Sequence, residues 1–211
     1  MRKKIGIFGG TFDPIHIGHL RMALELKEQL GLDEMRLLPC HQPPHRDAPQ
    51  VSSVQRAEML RIALQDCPEL QVDERELQRD KPSYTYDTLL ELRAEFGSDV
   101  SLVLCMGEDA FAGLPSWYCW GELIHLAHIV VIARPGWAIP EHGDARDLLD
   151  KYQGEPRCLD ETAAGSIVLQ SPRLLPISAT DIRQQIQAGK SAQFLVPDAV
   201  WNYIRTKQLY R

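Results

Sequence analysis

The 211-residue chain has 44% hydrophobic and 25% charged residues, the ordinary mixture of a globular protein, which excludes disorder, collagen and coiled coil as whole-chain structures. With 23 basic and 29 acidic residues, the net charge of −6 disfavours a protein that coats nucleic acid, although a locally basic pocket can still hold a small polyanion. The longest apolar stretch, Ala127 to Ala133, is too short to span a bilayer. The basic start lacks a signal-peptide core, and the five cysteines contain no CxxC pair. We therefore expect a cytoplasmic protein without a membrane or nucleic-acid partner.

Strand and helix signals alternate along the first half of the chain. The predicted elements are a strand from Lys4 to Phe8 that ends in Gly9-Gly10, a helix from Ile17 to Leu30, a strand from Met35 to Leu38, a helix from a Ser52/Gln55 capping box to Gln65, a weak strand from Leu70 to Val72, and a helix from Tyr86 to Phe96. Between Pro39 and Ser52 lies a proline-rich loop, which we expect to become ordered when substrate binds.

The alternation continues in the second half. The predicted elements are a strand from Val100 to Met106, a helix from Trp117 to Leu126, a strand from His128 to Ala133, a strand from Ile167 to Gln170, a helix capped by Ser178 that ends before Gly189, and a last helix from Val200 to Leu209. The stretch from Ala138 to Gly165 is the least regular and is interpreted as an elaboration.

This order predicts an α/β fold, a Rossmann-like open parallel sheet with helices on both faces. We expect one domain over residues 1–211, with a C-terminal helical part from about residue 176. Ligands of such sheets bind beyond the carboxyl ends of the strands, where the motifs of this chain fall.

The most informative stretch runs from Gly9 to His19, between the first strand and the first helix. Its two glycines allow a sharp turn and close approach of a ligand, and the helix start presents N–H groups that suit phosphate. His16 and His19 are three residues apart, so both can project from one face toward that phosphate. In the alternative interpretation, the histidines only cap the helix.

Other readings of this motif have less support. It is neither GxGxxG nor GxxxxGK[ST], which disfavours a dinucleotide dehydrogenase and a P-loop phosphotransferase. The spacing of the histidines is also unlike that of zinc-binding helices, so we expect no metal ligands from the protein.

The stretch Gly9 to His19 resembles the phosphate-binding motif of the HxGH nucleotidyltransferase superfamily, and Ile177 to Arg183 resembles its second motif. Further segments are similar to the bacterial nicotinate-nucleotide adenylyltransferase family, namely Pro43–Arg46, Asp73–Leu77, Pro82–Thr85, Gly107–Asp109, Trp117–Tyr118, Arg134–Gly136 and the ending Leu209-Tyr210-Arg211. The resemblance implies transfer of the adenylyl group of ATP to nicotinate mononucleotide, with release of pyrophosphate, in NAD biosynthesis. It also implies Mg²⁺ held mainly by the ATP phosphates.

The resemblance assigns roles to individual residues. His19 contacts the α-phosphate, and His19, His16 and Arg183 are the catalytic residues. The implied ATP-binding residues are Gly9, Gly10, Thr11, Phe12, His16, His19, Gly107, Asp109, Arg134, Ile177, Ser178, Thr180 and Arg183. The implied mononucleotide-binding residues are Arg46, Tyr84, Thr85, Trp117 and Tyr118, with Trp117 stacked on the pyridine ring.

Several of these residues have a structural alternative. Arg183 is interpreted alternatively as a surface arginine, Asp109 as a helix N-cap, and Trp117 as a core residue, the role we expect for Trp120. Because Tyr84 and Tyr86 are two apart, we expect them to face differently.

Two further functions remain alternatives at this point. A phosphopantetheine-type adenylyltransferase shares both phosphate motifs, and a nucleotide sensor would bind ATP without turnover. The chain departs from the family pattern at Ala179, where many relatives carry serine, and at Cys40, where asparagine is common. The preference for acid or amide at the pyridine and a possible homo-oligomer are left open.

Overall fold

The computed structural model describes residues 2–41, 49–79, 82–133 and 139–211. The β-strands are Lys4–Gly10 (β1), Glu34–Pro39 (β2), Leu70–Val72 (β3), Ser101–Gly107 (β4), His128–Ile132 (β5) and Ile167–Gln170 (β6). The α-helices are Ile17–Leu30 (α1), Ser53–Leu64 (α2), Thr85–Phe96 (α3), Glu108–Ala112 (α4), Leu123–Leu126 (α5), Asp144–Tyr152 (α6), Cys158–Glu161 (α7), Ala179–Gln187 (α8) and Asp198–Thr206 (α9). Short 3-10 helices cover Arg75–Gln78, Leu114–Ser116 and Trp120–Glu122. Within these ranges, no helix is both long and apolar enough to cross a bilayer.

The strands form a six-stranded sheet in the order β3-β2-β1-β4-β5-β6. Strand β1 pairs in parallel with β4, where Ile7 lies opposite Leu104, and β4 and β5 continue the parallel pairing to β6. The residues of β4 and β5 are all buried, because both faces of a parallel sheet are covered. This order is that of doubly wound nucleotide-binding sheets, which confirms the predicted α/β class.

The chain forms two compact units, each assembled from separate segments. One consists of Met1–Phe8, Leu26–Arg36 and Tyr84–Pro172, and the other of Gly9–Glu25, Leu37–Ser83 and Arg173–Arg211. The prediction of a single domain over residues 1–211 stays a prediction.

In the first unit, Arg93 of α3 holds several loops around the sheet. Its guanidinium donates hydrogen bonds to the carbonyls of Val100 at 2.8 Å, Leu126 at 2.6 Å and Ala163 at 3.1 Å. Burial lowers the pKa of Arg93, but an arginine stays charged at neutral pH. One side chain therefore satisfies loop carbonyls from three separate parts of the unit.

In the second unit, helix α2 packs against α9 and strand β3. The predicted capping box is confirmed, since the Ser52 side chain accepts from the Gln55 N–H and the Gln55 side chain accepts from the Ser52 N–H. The predicted helix capped by Ser178 is also confirmed and spans Ala179–Gln187.

Two secondary-structure predictions were wrong. In place of a helix from Trp117 to Leu126, the chain makes a turn in which Cys119 adopts a left-handed conformation (φ 50°), then a 3-10 turn and the short helix α5. The stretch from Ala138 to Gly165 contains α6 and α7 rather than irregular structure. In α6 only Ala145, Leu148 and Leu149 are buried, too short an apolar pattern to stand out among charged neighbours.

His128 of β5 is fully buried and joins two loop segments of the first unit. Its Nδ1 accepts from the Ser166 N–H at 3.2 Å, so its Nε2 carries the proton and donates to the Thr162 carbonyl at 3.0 Å. Burial lowers the pKa of His128, so the folded state binds the second proton less readily than the unfolded state.

We predict that this histidine makes the protein less stable as the pH falls. Its contribution is complete above the unfolded-state pKa of about 6.5 and decreases below it, by at most about 1.4 kcal/mol per pH unit. Urea unfolding at several pH values between 5 and 7.5 gives the slope of the unfolding free energy against pH. His128→Gln should reduce this slope. The exposed residue His142 provides the control, because His142→Gln should leave the slope unchanged. Equal slopes for wild type and His128→Gln would contradict the prediction.

Candidate active site

The loop after β1 turns at Phe12 rather than at the glycines that precede it. Phe12 is buried and has a φ of 49°, in the left-handed region. A Cβ on Gly10 would lie 2.9 Å from the Phe12 ring, whereas a Cβ on Gly9 would meet nothing within 4 Å. Gly10 is therefore needed for packing, and Gly9 leaves open space at the exposed end of the strand.

The two histidines of the motif lie against each other at the start of α1. Their rings stack with centroids 3.6 Å apart, and the His19 N–H donates to His16 Nδ1 at 3.3 Å. Because Nδ1 accepts, a neutral His16 ring carries its proton on Nε2. A Cβ on Gly18 would come within 3.0 Å of His16 Nδ1, so glycine permits this stacking. His16 does cap the helix, as the alternative interpretation holds, and a ligand contact through Nε2 is compatible with that.

Fewer N–H groups are open at this helix start than the sequence suggests. The Ile17 N–H donates to the Leu195 carbonyl at 3.0 Å, and the His19 N–H donates to the His16 carbonyl at 3.0 Å as well as to His16 Nδ1. A ligand at this helix start would therefore meet side chains more than free backbone N–H groups.

The second motif lies against the first within the same unit. The Arg183 Nη1 donates to the Asp13 carbonyl at 2.6 Å, and its Nη2 donates to Thr180 Oγ1 at 3.3 Å. Ser178 caps α8 by accepting from the Asp181 N–H at 3.4 Å, and Ile177 lies next to Gly18. Arg183 is thus not an isolated surface arginine, because it joins two motifs that are 170 residues apart.

Asp13 supplies the carbonyl of this contact, and its side chain was not among the predicted site residues. Its carboxylate is buried and accepts from the Tyr210 hydroxyl at 2.7 Å through Oδ1 and from the Gln50 N–H at 3.0 Å through Oδ2. Burial raises the pKa of Tyr210 far above its usual range, so the hydroxyl remains a donor. The position of Asp13 inside the motif and of Tyr210 in the family-like ending were the available signals.

Arg56 of α2 holds the same loop from another side and was also missed. It is fully buried, and its guanidinium donates to the carbonyls of Thr11 at 2.5 Å, Cys40 at 2.6 Å and His41 at 3.2 Å. An arginine within a helix gives no sequence signal that separates a buried arginine from a solvated one. Arg56 fixes the backbone that leads into the histidine motif.

In the first unit, three tyrosines form an aromatic cluster. Tyr118 is 53% exposed, and the centroid of its ring lies 4.9 Å from the ring centroid of Tyr84 and 5.9 Å from that of Tyr86. Tyr84 precedes α3 in an extended conformation and Tyr86 lies in its first turn, so both reach Tyr118. The expectation that they face differently was therefore wrong. Thr85, the first residue of α3, is half-buried between them.

Other predicted residues of this unit lie after β4. Gly107 precedes α4 at its N-cap position and Asp109 lies in the first turn, so the interpretation of Asp109 as an N-cap was wrong. Trp117 and Trp120 are both half-buried, which contradicts the expected core position of Trp120.

Arg46 and Arg134 lie outside the described residues, as does most of the loop between Pro39 and Ser52. Across the parts of the chain that the structure describes, no group of three or more His, Cys, Asp or Glu residues could hold a metal ion.

Comparison with known proteins adds independent evidence. The family described as Cytidylyltransferase-like matches residues 7–185. A protein of Cellvibrio japonicus, named as a probable nicotinate-nucleotide adenylyltransferase, is 63% identical over 100% of both chains. A protein of Pseudomonas aeruginosa PAO1 with the same name is 50% identical over 100% of this chain and 99% of its own.

Solved structures agree on the fold. The nicotinic acid mononucleotide adenylyltransferase of Plasmodium falciparum, complexed with NaAD, superposes with a TM-score of 0.74 at 18% identity, covering 99% of this chain and 97% of the other. The same enzyme complexed with APC gives a TM-score of 0.73 with the same coverage. With full-length relatives at 50–63% identity and both phosphate motifs joined through Asp13 and Arg183, the chain belongs to the nicotinate-nucleotide adenylyltransferase family.

Proposed function

We propose that this chain transfers the adenylyl group of ATP to nicotinate mononucleotide, forming nicotinate adenine dinucleotide and pyrophosphate on the route to NAD. The observation that carries the proposal is the hydrogen bond from Arg183 to the Asp13 carbonyl, because it brings the two phosphate motifs together. The names of the full-length relatives support the pyridine mononucleotide as the acceptor.

The chemistry fits a site built from cations and hydrogen-bond donors. A phosphate oxygen of the mononucleotide attacks the α-phosphorus of ATP, the bond from that phosphorus to the oxygen bridging the β-phosphate breaks, and pyrophosphate leaves with the electron pair. The attacking phosphate is already largely ionised at pH 7, since its second pKa is about 6. The enzyme must therefore align two anions and stabilise charge at the α-phosphate rather than supply a strong base.

The residues of the second unit take the triphosphate in this proposal. His19 stabilises the α-phosphate in the transition state, and His16 helps to hold the triphosphate through Nε2. Ser178, Thr180 and Arg183 bind the β- and γ-phosphates, and Ile177 supports their position. In this proposal the backbone of the loop contributes through Gly9, Gly10, Thr11 and Phe12. The Phe12 ring lies edge-on to the His19 ring, with centroids 5.2 Å apart, and supports the position of that imidazole.

The residues of the first unit take the nucleotide and pyridine groups. Trp117 stacks on the pyridine ring, because a half-buried indole offers a planar face. Tyr84, Thr85 and Tyr118 line the pyridine pocket, and Gly107 and Asp109 contact the nucleotide sugar. Arg46 for the mononucleotide and Arg134 for ATP stay predictions.

A divalent metal is general in enzymes of this kind, and we propose that it is Mg²⁺. The ATP phosphates and water hold this ion in the proposal, as the resemblance to the family implies. When bound, the ion offsets charge on the triphosphate. The homo-oligomer and the cytoplasmic location stay predictions.

Pyrophosphate release from ATP and Mg²⁺ tests the reaction directly. With nicotinate mononucleotide, nicotinamide mononucleotide and phosphopantetheine compared as acceptors, we expect fast release with the nicotinate compound. A comparable amide rate would indicate dual specificity. Release only with phosphopantetheine would support that transferase instead, and ATP binding without release would support the nucleotide sensor.

Substitution of His19 tests the catalytic role. His19→Ala should lower kcat about 100-fold or more while changing the KM for ATP only a few-fold, because the contact strengthens in the transition state. Steady-state kinetics measure both, with thermal unfolding as a check on folding. Near-normal turnover would remove His19 from the catalytic role.

Substitution of Trp117 tests the pyridine pocket. Trp117→Ala should raise the KM for the mononucleotide roughly tenfold, since aromatic stacking on a base contributes about 1–3 kcal/mol. Trp117→Phe should restore part of the affinity, and Trp120→Ala is the matched control. An unchanged KM for the mononucleotide would indicate that Trp117 contributes to packing and does not bind the pyridine ring.

A further inference from the structure

We propose that Tyr210, the second-last residue of the chain, is a positioning residue for adenylyl transfer that acts through Asp13 to keep Arg183 available to the ATP phosphates. The inference rests on the proposed function, in which Arg183 binds those phosphates. It gives a role in the reaction to a residue 197 positions away from the phosphate motif.

The contact between Tyr210 and Asp13 is direct and sheltered from water. The hydroxyl donates to Asp13 Oδ1 at 2.7 Å, and the two residues are each only 5% exposed. In such a site water does not readily replace a lost donor, so the carboxylate oxygen would be left unsatisfied. The hydroxyl is therefore a required partner of Asp13 rather than an incidental one.

Asp13 also lies near a positively charged side chain, that of Arg183. Arg183 Nη1 lies 2.6 Å from the Asp13 carbonyl but 4.0 Å from its carboxylate Oδ2, which accepts from the Gln50 N–H. The guanidinium thus contacts a neutral carbonyl closely and the charged group only loosely. With Tyr210 satisfying the carboxylate, the charge of Arg183 is directed to a phosphate instead of to an internal ion pair.

Without the hydroxyl, we expect the carboxylate to draw Arg183 into a closer ion pair. Asp13 and ATP would then compete for the same guanidinium, and ATP would bind more weakly. The mononucleotide uses other residues in the proposed function, so its binding should change little.

The end of the chain adopts an unusual conformation in order to place this side chain. After α9, Gln208 has a φ of 53° and Tyr210 a φ of 61°, both in a region that L-residues rarely adopt. The Leu209 N–H donates to the Ile204 carbonyl at 3.0 Å, and Leu209 is buried. Backbone strain persists where surrounding contacts hold it, and here those contacts include the hydrogen bond from Tyr210 to Asp13.

The first test removes only the hydroxyl. Tyr210→Phe should raise the KM for ATP about tenfold, because the lost hydrogen bond is to a buried charged group, and should change the KM for nicotinate mononucleotide less than twofold. Tyr203→Phe is the matched control, since it removes a hydroxyl from half-buried Tyr203 on α9 and should leave both KM values unchanged. A purely structural role would instead lower the unfolding temperature and the active fraction without separating the two KM values, and that result would overturn the proposal.

A double-mutant cycle tests the route through Arg183. In an Arg183→Gln background, Tyr210→Phe should cause no further rise in the KM for ATP, whereas an additive rise would overturn this route. The dissociation constant of a non-hydrolysable ATP analogue, measured without turnover, should follow the same pattern. If wild type binds the analogue but releases no pyrophosphate with any acceptor, the proposed function fails, while the binding measurements still decide the role of Tyr210.

Discussion

The buried carboxylate of Asp13 organises the second compact unit around the histidine motif. The carboxylate accepts hydrogen bonds from the Tyr210 hydroxyl and the Gln50 N–H. The backbone carbonyl of Asp13 accepts from Arg183. A buried charge is costly unless donors surround it, so the carboxylate needs the donors from Tyr210 and Gln50. Together with the contact of Arg183 to the backbone carbonyl, these hydrogen bonds link the histidine motif, helix α8 and the end of the chain.

Arg56 complements Asp13 within the same unit. It is a fully buried cation that donates only to backbone carbonyls within its described contacts, those of Thr11, Cys40 and His41. The loop is thus held by two buried charges. The Asp13 carboxylate accepts hydrogen bonds, and the Arg56 guanidinium donates hydrogen bonds to carbonyls. This frame supports the chain segment that leads to the two stacked histidines.

Local chemistry explains which elements were predictable. The capping box of Ser52 and Gln55, the cap at Ser178 and the buried parallel strands all depend on neighbours in sequence, and they form as expected. The turn at Cys119 and helix α6 were missed because a left-handed residue other than glycine or a short helix with three buried side chains leaves little pattern. Tyr84 and Tyr86 were misjudged because the helix begins between them.

Periodicity and motif spacing, which are local properties of the chain, determined the α/β class and located the two motifs in the sequence. The resemblance of those motifs to known sequences indicated the family. Only the tertiary structure decided that Asp13, Arg56 and Tyr210 support the loop that carries the histidine motif. The reason is physical: the partners of a buried charge come from segments far apart in sequence, as with Asp13 and Tyr210. No local pattern of residues predicts which distant donor will reach a given carboxylate. The donor becomes necessary only because the carboxylate is buried.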